Sequence, residues 1–151
     1  MTDIQLIDAK EQPAFTVRER VKNSDIPTAM GRMYGELVGF MQRKGVQVAG
    51  PPFAYYHSWS DQEVDLECGF PVAAPVSGEG KVKPFTLPAV KAVTAMHVGP
   101  YHKLMETYTE AERWMRANGH EPATYMWELY LNEPNKVPPE QLMTQIFWPI
   151  K

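Results

Sequence analysis

Hydrophobic and polar positions alternate in some stretches of the chain and recur at helical spacing in others. Residues 12–21 alternate in part, which predicts a strand, and apolar residues then recur at helical spacing as far as Gly45. Residues 53–59 are rich in β-forming side chains, and residues 64–70 alternate apolar with polar, so both predict strands. The first half therefore reads as a strand–helix–strand–strand unit.

The second half repeats this order after a connector. Residues 71–84 contain Pro, Ser and Gly and predict a connector, and residues 85–98 predict one long or broken strand. Apolar residues from Leu104 to Met115 recur at helical spacing, which predicts the second helix. The final strands are predicted in two places, at residues 125–131 and 142–150.

Turn-forming residues mark the ends of both helices. Ser24 and Asp25 offer side-chain oxygens for an N-cap of the first helix, and Gly45 lies where a C-terminal glycine ends it. Asn118 and Gly119 close the second helix in the same way. Each helix is therefore predicted to end just before a glycine.

The two halves match in spacing as well as in order. Gly45 and Gly119 lie 74 residues apart, and residues 64–72 resemble residues 142–150 at an offset of 78. The pattern favours a duplication, with repeats at about 10–75 and 83–151, over two unrelated units with similar turns. We expect a single α+β domain over residues 1–151, with pseudo-twofold symmetry, an antiparallel sheet, two main helices and a small-molecule groove where the repeats meet.

Composition and charge exclude several classes of function. The chain has 151 residues and a net charge of −3, without a run of Lys or Arg, so we expect no direct binding of nucleic acid. No apolar stretch approaches the ~20 residues of a membrane span. The N-terminus does not resemble a secretory signal, and one cysteine excludes an internal disulfide, so a cytoplasmic location is expected. The sequence leaves the oligomeric state open.

Glu128 is the acidic residue that most needs an explanation. It lies in the middle of the predicted strand YMWELYL, among large apolar side chains. If buried, such a carboxylate raises its pKa or finds a cation or hydrogen-bond donors. The equivalent position of the first repeat is Ala54, so the repeat itself does not require the acid. The alternative is a glutamate that points to solvent from a half-exposed strand.

Several aromatic residues are candidates for the wall of a ligand site. Strand alternation puts Tyr56 on the same face as Ala54, the counterpart of Glu128. Aromatic rings stack on flat or cationic ligands, and for each of these residues taken singly the pattern slightly favours the alternative, a packed core. The candidate ligand contacts are Glu128, Tyr56, Trp127, Tyr108 and Trp148.

No pattern for a metal or a cofactor accompanies these residues. His97 and His102 are five apart with Gly99 and Pro100 between them, so they do not share a helix face as metal ligands at i and i+4 do. Phosphate-binding, dinucleotide-binding and nucleophile-elbow motifs are not found either. We therefore expect neither a metal nor a cofactor.

Several short motifs, taken together, resemble one known family. HVGPY at 97–101, WMRANG at 114–119, WELY at 127–130, WPI at 148–150 and GPPFAYY at 50–56 are similar to the GyrI-like effector-binding domains. These domains are attached to AraC-type and MerR-type transcription regulators and also occur as stand-alone proteins. The resemblance covers residues 4–150 and implies paired strand–helix–strand–strand modules, as the repeat also predicts.

The resemblance also implies a function. Its ligands are often hydrophobic and frequently cationic aromatic compounds, and Glu128 matches the family's central pocket acid. The chain is then expected to be a small-molecule-binding protein without a DNA-binding helix-turn-helix. Some members are hydrolases that open cyclopropane-bearing toxins, in which case Glu128 and Tyr56 are the candidate catalytic residues. Another member binds DNA gyrase, so a module that interacts with gyrase or a regulator is a further alternative.

Overall fold

A computed structural model describes residues 3–151 as eight strands and two long helices. The strands are β1 (Ile4–Ala9), β2 (Gln12–Lys22), β3 (Phe53–Trp59), β4 (Glu63–Pro71), β5 (Lys83–Leu87), β6 (Val90–Val98), β7 (Met126–Tyr130) and β8 (Met143–Pro149). The helices are α1 (Ile26–Lys44) and α2 (Leu104–Ala117). This content confirms the predicted α+β class.

The chain divides into two compact units. The first unit is Lys10–Ala89, and the second unit comprises the described residues before Lys10 together with Val90–Lys151. Neighbouring strands follow the order β3-β4-β2-β5 in the first unit and β7-β8-β6-β1 in the second, and each of these pairs is antiparallel. Each unit therefore has the predicted strand–helix–strand–strand order plus one strand at the edge of its sheet.

The two edge strands are exchanged along the chain. β1 precedes β2 in sequence but pairs with β6, and β5 precedes β6 but pairs with β2. The region predicted as one long or broken strand is broken, because Pro88 lies between β5 and β6. Strand β1 was not predicted, because its six residues lack a consistent alternation.

Helix α1 begins differently from the prediction and ends as predicted. A short 3-10 helix, Asn23–Asp25, leads into it, and neither Ser24 nor Asp25 makes the expected side-chain cap. Because the 3-10 turn continues directly into Ile26, the chain has no extended capping residue there. At the other end Gly45 adopts φ +65°, the left-handed conformation that glycine tolerates, and its N–H donates to the carbonyl of Met41.

Both helices bury one face against the sheet of their own unit. Helix α1 buries Met33, Leu37 and Phe40, and the Phe40 ring lies 5.3 Å from that of Phe15 on β2. Helix α2 buries Thr107, Ala111 and Met115. None of the helices within residues 3–151 is long and apolar enough to cross a membrane.

Candidate functional site

Glu128 lies in the second unit and is buried. It is 3% exposed and sits in the middle of β7, opposite Ile146 of β8. Thr144 is on the same face of β8 as Ile146, and His97 is its partner on the neighbouring strand β6. His97 in turn hydrogen-bonds to Thr107 of α2. The carboxyl group of Glu128 is therefore on the side of the sheet that α2 covers.

Two tyrosines accompany the carboxyl group. The Tyr130 hydroxyl donates a hydrogen bond of 2.7 Å to Oε1 of Glu128, and the Tyr101 ring packs edge to face on Tyr130 with centroids 5.8 Å apart. Tyr101 begins the short 3-10 helix, Tyr101–Lys103, that leads into α2, and it is 37% exposed. Among residues 3–151, no lysine, arginine or histidine forms an ion pair with Glu128.

Burial raises the pKa of Glu128 to about 7, and the hydrogen bond from Tyr130 offsets only part of that effect. The pKa of the Tyr101 phenol is also raised, first by burial and then by the negative charge of Glu128. A carboxyl group with this pKa changes its charge near neutral pH. It can accept a hydrogen bond or a cation as an anion and can donate a proton when protonated.

Two of the predicted ligand contacts lie together on the same side of the second unit. Tyr108 of α2 meets Trp148 of β8 at a ring distance of 6.1 Å and an angle of 88°. Trp148 shares the sheet face of Ile146, and its indole N–H donates to the carbonyl of Ala123 at 2.9 Å. This pair therefore belongs to the same layer as Glu128.

The other two predicted contacts are placed differently. Trp127 precedes Glu128 on the same strand, so it points to the opposite face, where its ring stacks on Phe147 at 5.5 Å. Tyr56 belongs to the first unit and is half-buried on β3, on the same face as Ala54. Their roles as ligand contacts stay predictions.

Tyr130 and Tyr101 were missed as site residues. The signal for Tyr130 was available, because a residue two positions after Glu128 on a strand shares its face. Tyr101 had no comparable signal, since its contact with Tyr130 joins a turn to a strand 29 positions further along the chain. That contact depends on how the turn after β6 folds back.

The first unit also holds buried acidic residues that the alternation of residues 64–70 did not predict. Glu67 is buried, and its two carboxylate oxygens accept hydrogen bonds from Thr16 and from Nε2 of His57. Beside it, Arg18 binds Asp65 through two hydrogen bonds of 3.0 and 2.7 Å, and this pairing lowers the pKa of Asp65. Each of these acids accepts two hydrogen bonds within the unit, whereas Glu128 accepts one, from Tyr130.

The part of the chain that the structure describes contains no group of three or more His, Cys, Asp or Glu arranged to hold a metal ion. The single cysteine, Cys68, is buried on β4. Neither observation supplies chemistry beyond the carboxyl group of Glu128 and its tyrosines.

The family description of the GyrI-like small molecule binding domain matches residues 2–151. The chain belongs to this family. No curated protein matches significantly. Membership in this family makes the chain a small-molecule-binding domain by family. The α+β fold described above agrees with that assignment.

Solved structures with the same fold include EcmrR, both as its C-terminal domain and in a complex with DNA. The C-terminal domain of EcmrR is 24% identical with a TM-score of 0.85, and the match covers 100% of this chain and 98% of that one. In the complex of EcmrR with DNA, the identity is 22% and the TM-score 0.86, over 99% of this chain. This chain spans 57% of that EcmrR chain.

SAV2435, solved with bound tetraphenylphosphonium, is 16% identical with a TM-score of 0.72, over 99% of this chain and 94% of that one. A hydrolase from Listeria innocua is 18% identical with a TM-score of 0.67, over 98% and 91% of the two chains. At these identities the likeness shows the fold alone.

Proposed function

We propose that the chain binds hydrophobic cations and that Glu128 supplies the opposing charge. The observation that carries the proposal is a buried carboxyl group whose one hydrogen-bond partner within residues 3–151 is the phenol of Tyr130. A buried carboxylate is costly until a cation or further donors reach it. A bound cation therefore supplies the charge partner that the described residues do not provide.

The aromatic residues around Glu128 support an apolar ligand. Tyr101 and Tyr130 lie beside the carboxyl group, and Tyr108 and Trp148 pack on the same side of the sheet. Aromatic faces attract cations and add apolar contact area. Family membership supports a small molecule in general, and the tetraphenylphosphonium bound to SAV2435 suggests the ligand class to test.

The test is a calorimetric titration with tetraphenylphosphonium at pH 8, where Glu128 is mostly ionised. Glu128→Gln keeps the shape of the side chain and removes its charge, and we expect it to weaken binding about 10-fold or more. Glu110→Gln removes the same charge from an exposed position on α2 and is the matched control. Equal affinity in wild type and Glu128→Gln would overturn the assignment.

A neutral ligand separates charge recognition from hydrophobic binding. Triphenylphosphine oxide offers similar aromatic rings without a positive charge, so Glu128→Gln should leave its affinity within about twofold of wild type. If both ligands lose affinity equally, the substitution has damaged the site rather than removed its charge.

The predicted aromatic contacts are ranked by the same titration. Tyr108→Leu is expected to weaken binding more than Trp127→Leu, because Trp127 points to the sheet face opposite Glu128. Tyr56→Leu tests whether a residue of the first unit contributes. An effect of Trp127→Leu larger than that of Tyr108→Leu would contradict the assignment of the ligand to the α2 side.

A hydrolase is the second candidate, and the pKa of Glu128 is the observation that favours it. General acid–base catalysis is most effective when the pKa of the group is close to the working pH, and Glu128 has a pKa of about 7. As an anion it would accept a proton from the water whose oxygen bonds to an electrophilic cyclopropane carbon. The ring C–C bond that breaks would leave its electron pair on the electron-withdrawing group of the substrate, which then takes up a proton, so that one water is added overall. Incubation in heavy-oxygen water followed by mass spectrometry tests this, and an unchanged compound under excess protein would exclude that substrate.

A further inference from the structure

His97 connects three elements of the second unit. It lies near the end of β6 and is buried, and both ring nitrogens are hydrogen-bonded. Nε2 is 3.0 Å from the carbonyl oxygen of Pro100, and Nδ1 is 2.7 Å from Oγ1 of Thr107 on α2. Because a carbonyl only accepts, Nε2 carries the proton, and in the neutral ring Nδ1 accepts from the threonine hydroxyl.

The turn that follows His97 is held at several points. Gly99 adopts φ +136°, and its N–H donates to the carbonyl of Leu142 at 2.8 Å. The carbonyl of Pro100 also accepts from the N–H of Lys103 at 3.1 Å. Tyr101, the next residue, is the one whose ring packs on Tyr130 beside Glu128. The direction of Tyr101 is therefore determined by a turn that His97 ties to α2.

We propose that His97 is a positioning residue for the ligand site: through Pro100 and Thr107 it fixes Tyr101 against Tyr130 and so keeps water away from Glu128. The inference rests on the proposed function for its effect on ligand affinity. It assigns a role to the HVGPY segment, which the binding proposal leaves unexplained.

Excluding water matters because it determines what Glu128 offers to a ligand. A covered carboxylate attracts a cation more strongly than a hydrated one, since the local dielectric is lower. Without the His97 contacts, Tyr101 has fewer constraints on its orientation, and water competes with the ligand for the carboxylate. The same hydration brings the titration midpoint of Glu128 down from about 7 towards its ordinary value of 4.5.

Two buried threonines beside His97 provide a matched pair of variants. Thr107→Val removes the hydroxyl that Nδ1 of His97 accepts from. Thr144 lies opposite both His97 and Tyr130 in the sheet, is 0% exposed, and its hydroxyl makes no hydrogen bond within the described residues. Thr144→Val therefore makes the same chemical change in the same layer without breaking a hydrogen bond of His97. Thr107→Ser restores the hydroxyl and is the rescue variant.

The experiment has two readouts on the full chain. Carbon-13 NMR of the glutamate carboxyls follows the titration of Glu128 in the free protein, and calorimetry at pH 8 follows tetraphenylphosphonium. For Thr107→Val we expect a midpoint lower by at least about 0.5 pH unit and an affinity about 5-fold weaker. For Thr144→Val and Thr107→Ser we expect the midpoint within about 0.3 pH unit of wild type and the affinity within about twofold.

The outcomes separate the two proposals. An unchanged Glu128 midpoint in Thr107→Val overturns the positioning role, whatever the ligand does. Absence of tetraphenylphosphonium binding in wild type overturns the cation proposal, while the NMR titration still decides the role of His97. If Thr107→Val does not fold, His97→Phe replaces it, because it keeps a ring at this position and removes both nitrogens that bond to Pro100 and Thr107. An unchanged Glu128 midpoint in that variant overturns the positioning role in the same way.

Discussion

Replacing Glu128 by Gln should change how the stability of the free protein depends on pH. Glutamine keeps an oxygen for the Tyr130 hydroxyl but does not ionise, so the substitution isolates the charge. In wild type the folded-state pKa is about 7, against 4.5 as the ordinary value. A carboxyl group whose pKa is raised by folding stabilises the protein fully below pH 4.5, and this contribution is lost as the pH rises to 7.

The magnitude follows from the size of the shift. One pKa unit corresponds to about 1.4 kcal/mol, so a shift from 4.5 to about 7 represents roughly 3 kcal/mol between the two limits. Between pH 5 and pH 8, wild type should therefore lose roughly 2–3 kcal/mol of unfolding free energy from this residue alone. Glu128→Gln should lose none of that amount, so its stability relative to wild type increases with pH.

Urea unfolding of both proteins at pH 5, 6, 7 and 8 measures the difference. The other titrating groups are shared, so subtracting the two curves leaves the contribution of Glu128. Glu110→Gln is again the control, because an exposed carboxyl on α2 should give a nearly constant difference. If the curves of wild type and Glu128→Gln are parallel from pH 5 to pH 8, Glu128 is hydrated in the folded protein and the reasoning fails.

Three further predictions concern the ligand, an unsatisfied hydroxyl and a helix surface. Tetraphenylphosphonium should bind wild type about 10-fold more tightly at pH 8 than at pH 6. With a pKa of about 7, the ionised fraction of Glu128 rises from about 10% to about 90% between these pH values. The same affinity at both pH values in calorimetry would contradict this. Thr144→Val should leave stability unchanged or raise it by up to about 1 kcal/mol, since it removes a buried hydroxyl without a described partner; a clear loss in urea unfolding would mean that the hydroxyl is bonded after all. Gly31→Ala and Gly35→Ala in α1 should each raise the unfolding free energy by about 0.5–1 kcal/mol, because an added Cβ meets nothing within 4 Å; a lower urea midpoint in either variant would refute this.

Much of the fold was predictable because its elements carry strong local patterns. Helix α1 has apolar residues at regular helical spacing and ends at a glycine that adopts the left-handed conformation. Strand β1 has neither property: it is short, lies at the edge of its sheet and gains its stability from pairing with β6, far along the chain. Periodicity in a single stretch does not contain that information.

The site was predictable to a smaller extent. The family resemblance indicated Glu128 as the central residue. Strand alternation alone then puts Tyr130 on the same sheet face as Glu128 and Trp127 on the opposite face. The burial of Glu67 was not predictable in this way, because alternation assigns this residue to the polar side of β4. Its hydrogen bonds with Thr16 and His57 become visible only in the folded chain. Tyr101 likewise depends on a turn geometry that involves His97, Gly99 and α2.

Because β1 belongs to the second unit, the sequence of the first unit, Lys10–Ala89, interrupts the sequence of the second. In the second unit, Ala9 of β1 lies directly opposite Val90 of β6, so the two residues that flank the insertion are already neighbours. In the first unit, Gln12 lies opposite Leu87, which brings its own ends together. Removing Lys10–Ala89 and joining Ala9 to Val90 through a two-residue Asn-Gly turn would convert β1 and β6 into an ordinary hairpin. The shortened sequence would retain Glu128, Tyr130 and Tyr101 together with every strand that pairs within the second unit, whereas a cut at the boundary between the sequence repeats would separate β5 from the strand with which it pairs.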